Sequence, residues 1–339
     1  MTEPTLMING LPGKMAREIF KAAVAAGFKV VPFSLTGPQI PYDEVKVEDR
    51  NVNLIAPNER EEALERILGI YDPFIVVDFT HPTAVNLNGD SYCRHKRPFV
   101  IGTTGGDRKA LVERVKDSEI SAVIAPNMAM QIVALQQVLK ELGENQPNLF
   151  RGEYKLEIAE SHQNRKADVS GTAVAMVELP DGNGGVKPGY LAQLGLPFDK
   201  SQINFERRPQ IQLQMGIPKE FLDWHGHHTY TVSGGRNPGP LNIFYWVLEE
   251  FLMRHPVFAA YDRNVGSIRD KTHVTAQSPD KAVTFRLDKT PESLSLTHNV
   301  NGGSIYMPGI LQSARYLHRK SQEGSKGEVF TALDVMKDI

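Results

Sequence analysis

Between Glu160 and Ala173 the chain reads Glu160-Ser161-His162-Gln163-Asn164-Arg165-Lys166-Ala167-Asp168-Val169-Ser170-Gly171-Thr172-Ala173. These residue types suit a proton transfer beside a bound anion. An imidazole titrates near pH 6.5 in water, so His162 is placed to exchange a proton around neutrality. Ser170, Gly171 and Thr172 stand where an apolar helix, Ala173 to Leu179, should begin. Backbone N–H groups at a helix start, with hydroxyls beside them, form a cup for an anion. Lys166 lies four residues ahead of Ser170 and adds a full positive charge. A polar loop histidine is the plain alternative for His162, and the density of neighbouring groups argues against it.

A second constellation follows the first apolar run, Leu6-Met7-Ile8. It reads Gly10-Leu11-Pro12-Gly13-Lys14-Met15-Ala16, with a small residue at positions 10, 13 and 16. In a dinucleotide loop the first such residue permits the tight turn and the second admits a pyrophosphate to the backbone. The third lets the helix lie close to the strand. The dipole of the following helix then receives the phosphates. A merely tight strand-to-helix turn is the alternative, and the position at the first strand and first helix favours the fingerprint. The next strand ends Val31-Pro32-Phe33-Ser34-Leu35-Thr36-Gly37, without the acidic residue that usually holds the ribose of NAD. Ser34 and Thr36 are hydroxyls suited to a 2′-phosphate, so NADPH is expected over NADH.

Three further strand ends carry small polar residues: Asp78-Phe79-Thr80, Gly102-Thr103-Thr104-Gly105 and Ala125-Pro126-Asn127-Met128. Ligands of open α/β sheets bind beyond the carboxyl ends of the strands, where a nicotinamide would meet these groups.

The elements that must carry these groups follow from the hydrophobic pattern. Up to about residue 128, short apolar runs (Phe28 to Phe33, Phe74 to Phe79, Phe99 to Ile101, Ala122 to Ile124) alternate with helical stretches such as Lys14 to Ala26 and Arg108 to Val115. That order predicts a Rossmann-type, doubly wound parallel sheet. Beyond a long helix, Met130 to Leu142, the alternation of Tyr154 to Ile158, Pro209 to Met215, Thr229 to Val232, Val283 to Leu287 and Leu294 to Thr297 predicts an α+β domain. Its sheet should be open and mixed or antiparallel. Gly309 to His318 reads as a helix returning to the first domain. The expected division is a dinucleotide-binding domain of 1–129 with 305–339, and a substrate-binding and oligomerisation domain of 130–304.

Composition narrows the class. The 339 residues exceed what one core usually holds, and 41% hydrophobic with 23% charged is ordinary for a globular protein. A net charge of -2 gives no general reason to bind nucleic acid or an anionic membrane. No apolar run approaches the roughly 20 residues that span a bilayer. One cysteine, Cys93, leaves no intrachain disulfide and no cysteine metal cluster. A reducing compartment is expected, the cytoplasm, or the plastid stroma if a transit peptide was removed.

Taken together, these residues resemble the dihydrodipicolinate reductases of lysine and diaminopimelate biosynthesis, whose pattern is E-x-H-H/Q-x-x-K-x-D followed by S-G-T-A. Glu160, His162, Gln163, Lys166, Asp168, Ser170, Gly171, Thr172 and Ala173 match it. Gln163 and the single residue between Asp168 and Ser170 resemble the plant-type branch. The likeness extends through Asn9 to Met15, the three strand ends, His225-Gly226-His227-His228-Thr229-Tyr230-Thr231 and His298 to Tyr306. Ala16 departs from the usual third glycine. A segment of about 234–272 replaces a short hairpin.

The resemblance implies an NAD(P)H-dependent reduction of 4-hydroxy-tetrahydrodipicolinate, or its dehydrated form dihydrodipicolinate, to tetrahydrodipicolinate. His162 or Lys166 would supply the proton. Thr104, Gln163, Lys166, Ser170, Gly171 and Thr172 would hold a small dicarboxylate. Asn9, Gly10, Pro12, Gly13, Lys14, Met15, Ser34, Thr36, Phe79, Thr80, Gly102, Thr103, Thr104, Pro126, Asn127 and Met128 would hold NADPH, with NADH as the alternative. No metal is expected, because hydride transfer needs none, although His225 and His228 offer a His-x-x-His pair. A homo-oligomer, dimer or tetramer, is expected. The rivals are another two-domain NAD(P)-dependent reductase, among them an aspartate-semialdehyde enzyme for which Cys93 is a poor nucleophile, and a non-catalytic dinucleotide-binding paralogue.

Overall fold

Apolar triplets and quartets without polar alternation make strands buried on both faces, and the first part of the molecule is built from them. The computed structural model describes residues 3–38, 40–41, 43–181, 185–266 and 272–338. Its six-stranded parallel sheet runs in the order Val329–Phe330, Ala122–Ile124, Phe99–Ile101, Ile75–Asp78, Thr5–Asn9, Lys29–Val30. Met7, Val76, Val77, Phe99, Val100 and Val123 are wholly buried in it. From Thr5–Asn9 the chain steps to Lys29–Val30 on one side, then to the later strands on the other. The order therefore reverses between Thr5–Asn9 and Ile75–Asp78, a switch point that opens a crevice at the strand carboxyl ends.

The run from Phe28 to Phe33 is not one strand. Pro32 has no N–H to donate and interrupts it. Lys29–Val30 stays in the large sheet, while Phe33–Leu35 pairs with Arg50–Ile55 in a separate three-stranded sheet completed by Glu44–Val47. The helix Met307–Gln322 packs against the strands Ile75–Asp78 and Phe99–Ile101 and the helix Lys14–Ala25. A Cβ on Gly309 would stand 2.0 Å from the Met128 carbonyl oxygen, so only glycine permits that approach.

The chain divides into two compact units, Met1–Val133 with Tyr306–Ile339, and Ala134–Ile305. The second is organised by seven strands in the order Asn204–Glu206, Tyr154–His162, His225–Gly234, Ser293–Asn301, Val283–Lys289, His273–Gln277, Asp262–Gly266. The first pair is parallel and the others antiparallel. Strict alternation gives the sheet a buried face with Leu156, Ile158, Tyr230, Val232, Leu294, Leu296 and Phe285. The opposite face is polar, with hydroxyl pairs Thr229–Thr297 and Thr231–Ser295.

Pro209 to Met215 is not a strand. Pro209 sits at the first helical position, where its missing N–H costs nothing, and Pro209–Gln214 is a short helix. The helix expected over Ala173 to Leu179 begins at Gly171 and ends at Val177, where the chain turns into the strand Glu178–Pro180. The 234–272 insertion forms the helix Gly239–Arg254, which packs on the three strands from Ser293–Asn301 to His273–Gln277. Phe244 and Leu248 are buried there, whereas Trp246 is exposed. Residues 267–271 of the insertion lie outside the described residues.

Candidate active site

In the first unit the loop after Thr5–Asn9 is shaped by the absence of side chains. Gly10 has φ +107°, and a Cβ there would come 2.4 Å from the Phe79 carbonyl oxygen. A Cβ on Gly13 would meet the Gly10 oxygen at 2.8 Å. Gly13 caps the helix Lys14–Ala25 without any side-chain hydrogen bond, so the first-turn N–H groups face outward uncapped, as an anion requires. Pro12 and Met15 are half-buried at this rim and Lys14 is exposed. Ala16, 1% exposed, lets the helix lie on the sheet.

Other residues expected at the cofactor lie beneath the loop rather than on it. Asn9 is fully buried; its Oδ1 accepts from the Leu35 amide and its Nδ2 donates to the Tyr92 hydroxyl. Ser34 and Thr36 are buried as well. The Ser34 Oγ accepts from the Leu11 N–H, and the Thr36 hydroxyl donates to the Ile55 carbonyl. Their hydroxyls therefore brace the backbone. Asp78, fully buried, takes the Thr80 amide and hydroxyl on Oδ1 and Asn88 and Tyr92 on Oδ2.

Gly102 lies against the Phe79 ring, 2.2 Å from a hypothetical Cβ to Cζ. The Thr103 hydroxyl donates to the Thr80 carbonyl, and Thr104 is exposed. Pro126 is exposed, Asn127 Oδ1 accepts from the Ala129 N–H, and Met128 is buried. These residues converge on the carboxyl edge of one sheet.

In the second unit, Tyr154–His162 carries Glu160 and His162 on one face, two residues apart. Glu160 has a wholly buried side chain whose two oxygens receive four donors. Oε1 accepts from the Ser170 N–H (3.1 Å) and Arg207 Nη2 (2.6 Å); Oε2 accepts from His162 Nδ1 (2.6 Å) and Arg207 Nη1 (2.9 Å). Burial alone would raise the Glu160 pKa, but the hydrogen bonds from His162, Arg207 and Ser170 outweigh it and hold it at about 2.

Arg207 spends all five N–H groups. Besides the carboxylate it donates to the carbonyls of Lys166, Asp168 and Glu206, so its fork ties down the loop between strand and helix. Gln212, from the short helix that sequence reading took for a strand, donates to the His162 carbonyl at 2.7 Å. No local pattern announces these two residues.

The Lys166 amide donates to the Gln163 carbonyl, closing the turn, and its Nζ pairs with Asp168 at 2.8 Å. Asp168 is 79% exposed, so that pair is easily exchanged for a ligand. Ser170 is less free than an anion cup requires. Its amide is given to Glu160 and its hydroxyl lies 2.7 Å from His228 Nε2. Gly171 and Thr172 remain at the first turn of the helix Gly171–Val177.

Behind His162 stands a stack of histidines. The His228 ring is 5.0 Å from that of His162 and 4.5 Å from that of His298, which approaches the Tyr230 hydroxyl at 3.3 Å. Burial keeps His228 well below the usual imidazole value, His227 at about 4 and His298 at about 3. His225 and His228 are three residues apart on one strand and so point to opposite faces; they cannot share a metal ion.

The family model for the dihydrodipicolinate reductase N-terminus matches residues 5–128, and that for its C-terminus matches residues 132–336. 4-Hydroxy-tetrahydrodipicolinate reductase 2, chloroplastic, of Arabidopsis thaliana is 32% identical over 335 residues, covering 98% of this chain and 77% of its own. The 4-hydroxy-tetrahydrodipicolinate reductase of Gloeobacter violaceus (strain ATCC 29082 / PCC 7421) is 29% identical, covering 91% and 93% respectively. Dipicolinate-bound dihydrodipicolinate reductase from Paenisporosarcina sp. TG-14 has a similar fold, with a TM-score of 0.51 at 15% identity over 98% of each chain.

Proposed function

The chain belongs to the dihydrodipicolinate reductase family, and from that premise we propose how its residues divide the work. It is an NAD(P)H-dependent oxidoreductase that reduces 4-hydroxy-tetrahydrodipicolinate to tetrahydrodipicolinate in lysine biosynthesis. The observation that carries the site assignment is the Glu160–His162–Arg207 cluster, a proton-exchanging group held beside Lys166 and a helix start.

The glycine cradle and uncapped helix of the first unit fit a pyrophosphate. Gly10, Pro12, Gly13, Lys14 and Met15 line it, with Asn9, Ser34 and Thr36 holding its shape. The turns at Phe79–Thr80, Gly102–Thr104 and Pro126–Met128 would receive the nicotinamide end. Loss of the 4-hydroxyl as water gives the conjugated imine, dihydrodipicolinate; when bound, the reduced cofactor would supply a hydride, whose electron pair forms the new C4–H bond. The π pair displaced from the conjugated imine moves onto the ring and must be quenched by a proton. His162 delivers that proton, with Lys166 the alternative donor. Lys166, Gly171, Thr172 and Gln163 hold the substrate carboxylates by charge and hydrogen bonds; Thr104, exposed in the first unit, is a further candidate for substrate contact.

With no carboxylate in Phe33–Gly37 to repel a 2′-phosphate, NADPH is used at least as well as NADH. A homo-oligomer, dimer or tetramer, is supported by the open polar face of the seven-stranded sheet and is checked by light scattering. Its place is the cytoplasm or the plastid stroma; among the described residues no helix is long and apolar enough to cross a membrane.

The decisive assay mixes purified protein with enzymatically generated dihydrodipicolinate and follows nicotinamide absorbance. Substrate-dependent oxidation is expected with either cofactor, and its absence with both refutes the assignment. A preference for NADH above about tenfold in kcat/KM would overturn the cofactor argument.

A further inference from the structure

We infer that Glu160 and Arg207 are positioning residues for His162: the Glu160 carboxylate takes the Nδ1 proton, which leaves Nε2 as the ring nitrogen that exchanges the proton of the reaction. This rests on the reading of His162 as proton donor. A carboxylate is an acceptor only, so the nitrogen 2.6 Å from Glu160 Oε2 must carry hydrogen. The carboxylate is ionised throughout the neutral range, with its pKa held at about 2. Neutral His162 is therefore the Nδ1–H tautomer, with a lone pair on Nε2, and its protonated form is an ion pair.

Arg207 makes that arrangement rigid. Its two Nη atoms take one carboxylate oxygen each, and its remaining N–H groups fasten the Lys166, Asp168 and Glu206 carbonyls. One guanidinium thus sets both the histidine and the loop that carries Lys166. Nε2 has room because the facing residue is Gly226. A Cβ there would lie 3.2 Å from Nε2.

The other groups facing the ring do not compete. They are His228 on the neighbouring strand and His298 on the next; His225 and His227 flank Gly226 on the opposite face of the sheet. Burial lowers all four, so they are neutral where the enzyme would work. Glu160 is the charge bonded to the imidazole, Arg207 stands behind it, and Lys166 on the following loop is paired with Asp168.

Two measurements test this. In the intact protein with 15N-labelled histidine, His162 (identified by its loss in His162→Gln) should show the Nδ1–H tautomer at mildly alkaline pH. An Nε2–H tautomer overturns the proposal whether or not any variant folds. In Glu160→Gln a neutral carboxamide, able to donate or accept, no longer selects one ring nitrogen, so the Nδ1–H signal should give way to a mixture of the two neutral tautomers. At neutral pH kcat should drop about tenfold, and KM should change by less than about threefold. A folded variant with lowered kcat but an unchanged Nδ1–H tautomer reduces Glu160 to a structural role and refutes the inference. An Nδ1–H tautomer in a chain with no reductase activity would instead fault the functional reading and leave the positioning intact.

Discussion

The phosphate loop and the His162 loop are held by opposite means. Around Gly10 and Gly13 the geometry depends on atoms that are missing, since a single Cβ would strike backbone oxygen at either position. Around His162 it depends on groups that are present: one carboxylate and one guanidinium with every donor and acceptor used, and one buried carboxamide whose Nε2 donates to the His162 carbonyl. The first region tolerates no addition. The second tolerates no deletion, because each removed partner strands a polar group away from water.

Acid should separate the two units most strongly. His227, His228 and His298 stay neutral in the folded second unit, while an unfolded chain protonates its histidines below about pH 6.5. The unfolded state then binds more protons, so stability is kept above that pH and falls as pH drops toward the folded values. The loss is roughly 1.4 kcal/mol per pH unit for each such histidine over the range in which it is protonated unfolded and neutral folded. Both tryptophans, Trp224 and Trp246, lie in this unit, so intrinsic fluorescence follows it alone. Fluorescence flat from pH 7 to 4 would show that the histidine stack is not buried neutral.

Gly10→Ala tests the rule against additions. Backbone must move to admit the methyl group, and a φ of +107° is strained for alanine. About 2–4 kcal/mol is expected from clash and strain together. It should appear as a rise in cofactor Kd of roughly a hundredfold or as a lowered melting temperature, with tryptophan fluorescence unchanged. Normal cofactor binding and stability would remove the cradle argument.

The rule against deletions is tested by His162→Gln, which should cost on the order of a hundredfold in kcat while cofactor Kd stays put. A near-normal kcat would take the imidazole out of the chemistry and leave Lys166 as donor. Lys166→Ala should act more gently and on a different constant. Losing one charge-assisted bond of about 1.5–3 kcal/mol raises substrate KM roughly tenfold or more, since its present partner, Asp168, is exposed and contributes little. An unaltered KM would place the carboxylate elsewhere.

Local physics made much of this legible in the sequence. Apolar runs announced the strands of the parallel sheet, because burial on both faces demands such runs. Small residues at 10, 13 and 16 announced the loop, because backbone geometry is a property of a few consecutive residues. The same holds for the turn that carries Lys166 ahead of the helix start. What the sequence misjudged was also local in origin. Pro209 to Met215 alternates like a strand, yet proline at its start favours the helix that delivers Gln212. Ser34, Thr36 and Asn9 read as ligand-facing because they are polar, but their polar atoms are spent on backbone and on Tyr92.

Sequence by itself therefore determined which residues are chemically able to move a proton or hold an anion, and the order of elements that carries them. Only the tertiary structure decided which of those groups are free to act. Arg207 lies 47 positions from Glu160 and His298 lies 68 from Tyr230. Such pairs form because parallel and antiparallel strand pairing sets distant residues side by side, and no spacing along the chain encodes that register.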